Sequence, residues 1–234
     1  GLRQEFLALL GNLDQNPASL VVTNPLNGRS YDLLMTGGAF FGLVYQLLYQ
    51  TDALPYIPLL IWEAARGEFE VAAAIYGSFL QLGMVSSRGM TFSVLCNEEN
   101  PFSTLEQYEE ALGLVPDLAP YLRAGPLGTT GYSICGFWKL GGADGRENEA
   151  VNSDIPALVL QGEFDPVTPP AWGEHAAATL ARSYYYLFPA VGHGAVVSAC
   201  ARGMMLAFLE DPDQPPEDDC IAGMEGLTFI LSVP

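Results

Sequence analysis

The run Ile155-Pro-Ala-Leu-Val-Leu-Gln161 is apolar almost without interruption. A strand covered on one face alternates apolar with polar residues. A short continuous apolar run is how a parallel strand buried on both faces reads. Ser183-Tyr-Tyr-Tyr-Leu-Phe188 supplies a second strand, and a helix from Trp172 to Ala181 lies between them. Another helix follows from about Val196 to Leu209. Strand, helix, strand, helix predicts a βαβ unit with a right-handed crossover. Residues 151–234 therefore read as α/β.

Residues 1–150 read as mostly helical with one small hairpin. Leu2 to Leu10 has the pattern of a short amphipathic helix. Ser19-Leu-Val-Val-Thr23 and Tyr31 to Met35 are strand-like runs, joined through an Asn-Gly turn at Asn27-Gly28. From Gly38 to about Leu82, apolar residues recur at helical spacing, through Phe40, Leu43, Val44, Leu47 and Leu48 and again through Ala72, Ile75 and Phe79. Pro55 and Pro58 divide this stretch into at least two helices. Thr104-Leu-Glu-Gln107 has capping-box spacing and opens another. The composition of Gly141-Gly-Ala-Asp-Gly145 marks a linker before the α/β part.

Half of the 234 residues are apolar, enough for a sizeable core. No apolar run reaches the roughly 18 residues of a membrane span without a charge or a breaker. The net charge is −18 and Lys139 is the only lysine, so nucleic acid and anionic membranes are poor partners. A cationic ligand such as a peptide's free amino terminus suits this charge, although acidity also serves plain solubility. Gly1 to Phe6 lacks the features of a signal peptide, so any such signal would lie upstream.

The four cysteines, Cys96, Cys135, Cys200 and Cys220, form no C-x-x-C, and no zinc site is expected. If all are oxidised, three pairings are possible. Cys200 and Cys220 flank one helix and an acidic, proline-rich loop and are the easiest pair. They would close a loop of about 20 residues, contributing roughly 3 kcal/mol in the chain-entropy model. Cys96 with Cys135 then follows by elimination. Disulfides imply a compartment outside the cytosol; four free buried thiols are the alternative.

Two loops carry the chemistry. Gly162-Glu-Phe-Asp165-Pro-Val-Thr168 follows the first strand, and Val191-Gly192-His193-Gly194 follows the second. Ligands of α/β sheets bind beyond the carboxyl ends of parallel strands, where these loops lie. An acid beside a histidine fixes the imidazole tautomer and stabilises the imidazolium during turnover. Acid before histidine is the α/β-hydrolase chain order Ser…Asp…His. Gly192 and Gly194 allow a tight turn that leaves the ring accessible. Thr168 is expected to hold the Asp165 loop through a hydroxyl-to-backbone bond. Alone, Asp165 reads equally well as a turn residue and His193 as an ordinary loop histidine. His175 reads as a solvated helix position.

The stretch from Ser153 to Glu174, with Phe188-Pro-Ala-Val-Gly-His-Gly194 and Cys200-Ala-Arg-Gly-Met-Met-Leu-Ala-Phe-Leu209, resembles the C-terminal region of the TAP-like α/β hydrolases. These are relatives of the tripeptidyl- and prolyl-aminopeptidases, mostly bacterial and often exported. The similarity continues more weakly upstream through Phe92 to Phe102 and Cys135-Gly-Phe-Trp138. The resemblance implies the C-terminal portion of an α/β-hydrolase fold, its last two parallel strands with helices, over residues 151–234, preceded by a mostly helical cap over 1–150. It implies Asp165 and His193 as triad acid and base. It points to Glu98, and after it Glu99, as cap carboxylates that meet a peptide's amino terminus. Read without it, both glutamates are solvated loop residues. It implies an extracellular or cell-envelope location and no cofactor or metal.

The departure is the nucleophile. The G-x-S-x-G elbow of these hydrolases is absent. One near string, Gly28-Arg-Ser30-Tyr-Asp32, lies in the hairpin and lacks the last glycine. No H-G-G-G oxyanion motif is present, and only the last two strands can be found. The expectation is an upstream segment of roughly 200 residues that carries the remaining sheet, the oxyanion hole and the serine. The chain by itself is expected to be inactive as a hydrolase, and the missing part of the same enzyme becomes its first partner. A non-catalytic descendant that grips cationic peptides is a competing reading. An esterase or another amide hydrolase is a third, since fold does not fix substrate.

Overall fold

The computed structural model describes residues 1–125 and 128–231, leaving aside the side chains of 81–85. Leu82, the end of the helical repeat read above, lies outside the described side chains. The chain forms two compact units. One comprises Gly1–Leu43 with Ile61–Glu149, and the other Val44–Leu60 with the residues from Ala150 onward. The segment 44–60, read with the helical part, groups with the C-terminal unit.

In the first unit, helix α1 (Leu2–Gln15) buries Leu9, Leu10 and Leu13. It runs past the expected end at Leu10, because a single glycine such as Gly11 costs a helix only about 1 kcal/mol. Strands β1 (Ala18–Thr23) and β2 (Ser30–Met35) pair antiparallel from Ala18↔Met35 to Thr23↔Ser30. Their connection spans Asn24 to Arg29 and includes Asn27 and Gly28, the glycine at φ of 67°. Buried Asn24 organises it: its N–H donates to the Arg29 carbonyl at 2.8 Å, and its Oδ1 accepts from the Leu26 N–H at 2.9 Å. Helices α2 (Gly37–Leu47) and α3 (Ile57–Ala65) each cross from one unit's residues to the other's. Pro55 sits within the 3₁₀ turn Thr51–Tyr56, and Pro58 in the first turn of α3, where its missing N–H has no intrahelical acceptor to lose.

The remaining helices of this unit are α4 (Glu70–Val85), α5 (Arg88–Val94), α6 (Leu105–Leu112), α7 (Ala119–Arg123) and α8 (Thr129–Trp138). Leu95–Glu99 forms a π-helical turn after α5. Thr104 and Gln107 make the capping box at α6, each side chain accepting from the other's backbone N–H, at 3.2 and 2.8 Å. A disulfide joins Cys96 of the π-helical turn to Cys135 of α8.

The second unit holds β3 (Ala157–Gly162), α9 (Pro170–Ala178), β4 (Ser183–Phe188), α10 (Ala199–Glu210) and α11 (Asp219–Ala222). β3 and β4 pair in parallel from Ala157↔Ser183 to Gly162↔Phe188. One sheet face carries Leu160, Tyr186 and Phe188, packed with Val191, Ala195, Ala201 and Met204, the last two from α10. On the other face Gln161 and Tyr185 lie against α9 at Gly173. A second disulfide, Cys200–Cys220, ties α10 to α11, and Ile221 and Met224 pack on the Phe188 cluster. Both pairs are those read from sequence. Among the described residues no helix is long and apolar enough to cross a membrane.

Phe188 is fully buried at the point where β4 gives way to the His193 loop. Phe188→Ala is expected to destabilise this unit by about 3–5 kcal/mol, measured as a lower urea midpoint with unchanged slope.

Candidate active site

Parallel register ends both strands at the same level, Gly162 opposite Phe188, so both loops leave the sheet together. Backbone bonds continue beyond the strands. The Glu163 N–H donates to the Phe188 carbonyl at 3.0 Å and the Phe164 N–H to the Val191 carbonyl at 2.8 Å. Asp165 and His193 follow directly, 28 residues apart in the chain. The His193 Nδ1 lies 3.0 Å from each carboxylate oxygen of Asp165. An ionised carboxylate only accepts, so Nδ1 carries the proton and donates. Nε2 is left as the basic nitrogen. Among the described residues no group is hydrogen-bonded to Nε2, and the His193 side chain is 40% exposed.

Asp165 is held from four sides. Its Oδ1 accepts from the N–H of Val167 at 2.8 Å and of Thr168 at 2.9 Å; its Oδ2 accepts from the Thr168 hydroxyl at 2.9 Å; His193 supplies the fourth donor. Its side chain is only 5% exposed. Burial alone would raise its pKa. The two backbone donors, the imidazole and the Thr168 hydroxyl together outweigh burial and hold the carboxyl below its ordinary range. Thr168 thus acts on the carboxylate itself, not on the backbone as expected. A hydroxyl three residues on reaches a charged acceptor that is already turned inward.

The glycines have separate reasons. A Cβ at Gly192 would stand 2.7 Å from the Leu48 carbonyl oxygen, and one at Gly162 would stand 2.1 Å from the Gly192 carbonyl oxygen. Close backbone approach therefore requires both. Gly194 has φ of 81°, the left-handed conformation glycine adopts freely.

Sequence reasoning missed several supports. Gln161 is buried at the end of the apolar strand and donates to the Thr168 carbonyl at 2.7 Å, fixing the far end of the Asp165 loop. The one amide in an apolar run was its only signal. Thr51 accepts from the Gly192 N–H at 3.1 Å. Tyr49 sets its ring edge-on to His193, with centroids 5.5 Å apart. Burial, then neighbouring Tyr45, then the Asp165 charge push the Tyr49 phenol up to about 12, so it stays neutral beside the imidazole. Nothing local in sequence links residues 49–51 to residues 192–193.

The other candidates lie elsewhere. Glu98 and Glu99 are in the first unit, exposed on the π-helical turn and not in a loop. Glu99 lines a cavity of about 400 Å³ with Leu95, Tyr108, Tyr132 and Cys135; Glu98 is not among its lining residues. Ser30 lies on β2 with its hydroxyl 2.9 Å from that of Thr23. His175 is exposed on α9. Among the described residues no cluster of three or more His, Cys, Asp or Glu side chains could hold a metal ion.

With acid and base at consecutive parallel strand ends, the comparison with known proteins becomes specific. Residues 119–220 match the TAP-like protein family. The matched span includes α7, α8, Asp165, His193 and three of the four cysteines, and ends before the last residues of α11. It supports a hydrolase of the α/β type. Cys96, Glu98 and Glu99 fall outside it. No curated protein and no solved structure matches the chain.

Because the folded-state pKa of Asp165 is depressed, its ionisation stabilises the fold above the unfolded carboxylate range. That stabilisation disappears as pH falls through the lower folded value. The stability gap between the parent and Asp165→Asn is therefore expected to be widest near neutral pH and to close at acid pH, read by urea titrations across pH. Thr168→Val removes a hydrogen bond to a charged group and is expected to cost about 1.5–3 kcal/mol at neutral pH.

Proposed function

We propose that this chain supplies the acid–base part of a serine-type hydrolase, an exported aminopeptidase acting on peptides with a free amino terminus. The observation that carries this reading is the His193 imidazole, bound at Nδ1 by both oxygens of a buried carboxylate and open at Nε2. In that arrangement Nε2 takes the proton of an attacking hydroxyl and returns it to the leaving amine, while Asp165 steadies the imidazolium. The nucleophilic serine and the oxyanion donors come from polypeptide outside these 234 residues. The likeness of residues 119–220 to TAP-like proteins supports the hydrolase class. The two disulfides are consistent with an extracellular or cell-envelope setting. The net charge of −18 favours a cationic peptide terminus. Glu99, facing its cavity, and neighbouring Glu98 are the carboxylates proposed to meet that terminus.

The chain alone is expected to leave a peptide 4-nitroanilide uncleaved. Joined to the polypeptide encoded upstream of it, it is expected to release nitroaniline, and His193→Ala to lower kcat by about 10³-fold or more. Turnover by the chain alone that His193→Ala abolishes would refute the external serine. Absence of turnover in the joined polypeptide would refute the hydrolase.

A further inference from the structure

Between the two backbone bonds that zip the active loops together, the chain after β4 takes extra residues. Glu163 bonds to Phe188 and Phe164 to Val191, so Pro189 and Ala190 have no backbone partner on the opposite loop. Ala190 is also in the left-handed region, with φ of 57°. Among the described residues the only other non-glycine with positive φ is Lys139, at the end of α8, where helices commonly stop that way. Ala190 ends no helix. A left-handed alanine is strained and persists only where its surroundings over-determine it. Its N–H is met at 2.8 Å by Oε2 of Glu163.

We propose that Glu163 is a positioning residue, a carboxylate clip that holds the strained Ala190 turn and thereby sets His193 against Asp165. The inference rests on the reading of those two residues as acid and base. Three features connect clip to site. Glu163 stands two residues before Asp165, and Ala190 three before His193. The bond is charge-assisted, hence stronger than a neutral one. The same stretch holds Gly192 against the Gly162 backbone, where no Cβ fits. Glu163 touches no reacting atom; it fixes the distance between the two loops that do the chemistry.

The test uses the 234-residue chain, ¹⁵N-labelled, with no substrate. Two signals are followed: hydrogen exchange of the Ala190 amide, and the downfield resonance of the His193 Nδ1 proton. Glu163→Ala is expected to speed Ala190 exchange at least tenfold and to broaden or shift the Nδ1 resonance. Glu163→Asp, one methylene too short, is expected to do the same while keeping the charge. Glu163→Gln, whose neutral amide oxygen still accepts but more weakly, is expected to fall between the parent and Glu163→Ala. Adding Ala190→Gly to Glu163→Ala is expected to restore the Nδ1 resonance, because glycine holds the turn unaided. Ala190 exchange and the Nδ1 resonance unchanged in Glu163→Ala, or in Glu163→Asp should the alanine variant unfold, would overturn the clip. Both signals are independent of hydrolysis. Absence of turnover in the joined polypeptide with these signals as expected would therefore sink the hydrolase reading alone.

Discussion

Twenty-eight residues separate Asp165 from His193 along the chain, and parallel pairing of two six-residue strands closes that distance to a hydrogen bond. Everything else at the site follows from where β3 and β4 stop. Parallel strands run the same way, so their carboxyl ends share one edge of the sheet, and the crossover helix returns the chain to begin the second strand. The acid and the base are therefore neighbours by topology before any side-chain interaction is made. Side chains refine the approach: Gln161 anchors one loop, Thr51 and Glu163 the other.

That approach would be costly if the carboxylate were merely buried. A charge moved from water into a protein interior stays ionised only when donors replace the water. The Asp165 loop supplies them from its own backbone, because the turn through Pro166 aims the N–H groups of Val167 and Thr168 back at the carboxylate. The acid is thus stabilised largely by a local turn, and His193 adds to a site already built. The edge-on neutral phenol of Tyr49 adds no competing charge next to the imidazole.

That Asp165 and His193 come together was legible because strand ends can be read from local sequence and chain order from the whole. The run 155–161 and the Tyr-rich run 183–188 located the strands, and the loops after them could then be named. The short loop between Cys200 and Cys220 made that pair the easiest to read, and Cys96 with Cys135 followed only on the condition that all four are oxidised. The part played by residues 44–60 was not legible. A helix end and a 3₁₀ turn brought against a loop some 140 residues later leave no periodicity to read. The hairpin after β1 was legible from Asn27-Gly28, whose glycine takes a positive φ; the part of buried Asn24, three residues earlier, in organising the turn was not. The role of Thr168 was read one step short: its hydroxyl had an evident local partner in the backbone, and the inward rotation of Asp165 became visible only in three dimensions.

The crossover between the two loops has a consequence for how such a chain can change over evolutionary time. Neither the ladder beyond the strands nor the Asp165–His193 bond passes through α9, so turns can be added to or removed from that helix without shifting the acid against the base. The strands have no such latitude. One residue inserted in β3 or β4 would slide its loop by about 3.3 Å and turn the side chains that follow to the opposite face of the sheet. Descendants of this unit are free to vary the segment from Pro170 to Ala178 in length and must hold the two six-residue strands constant.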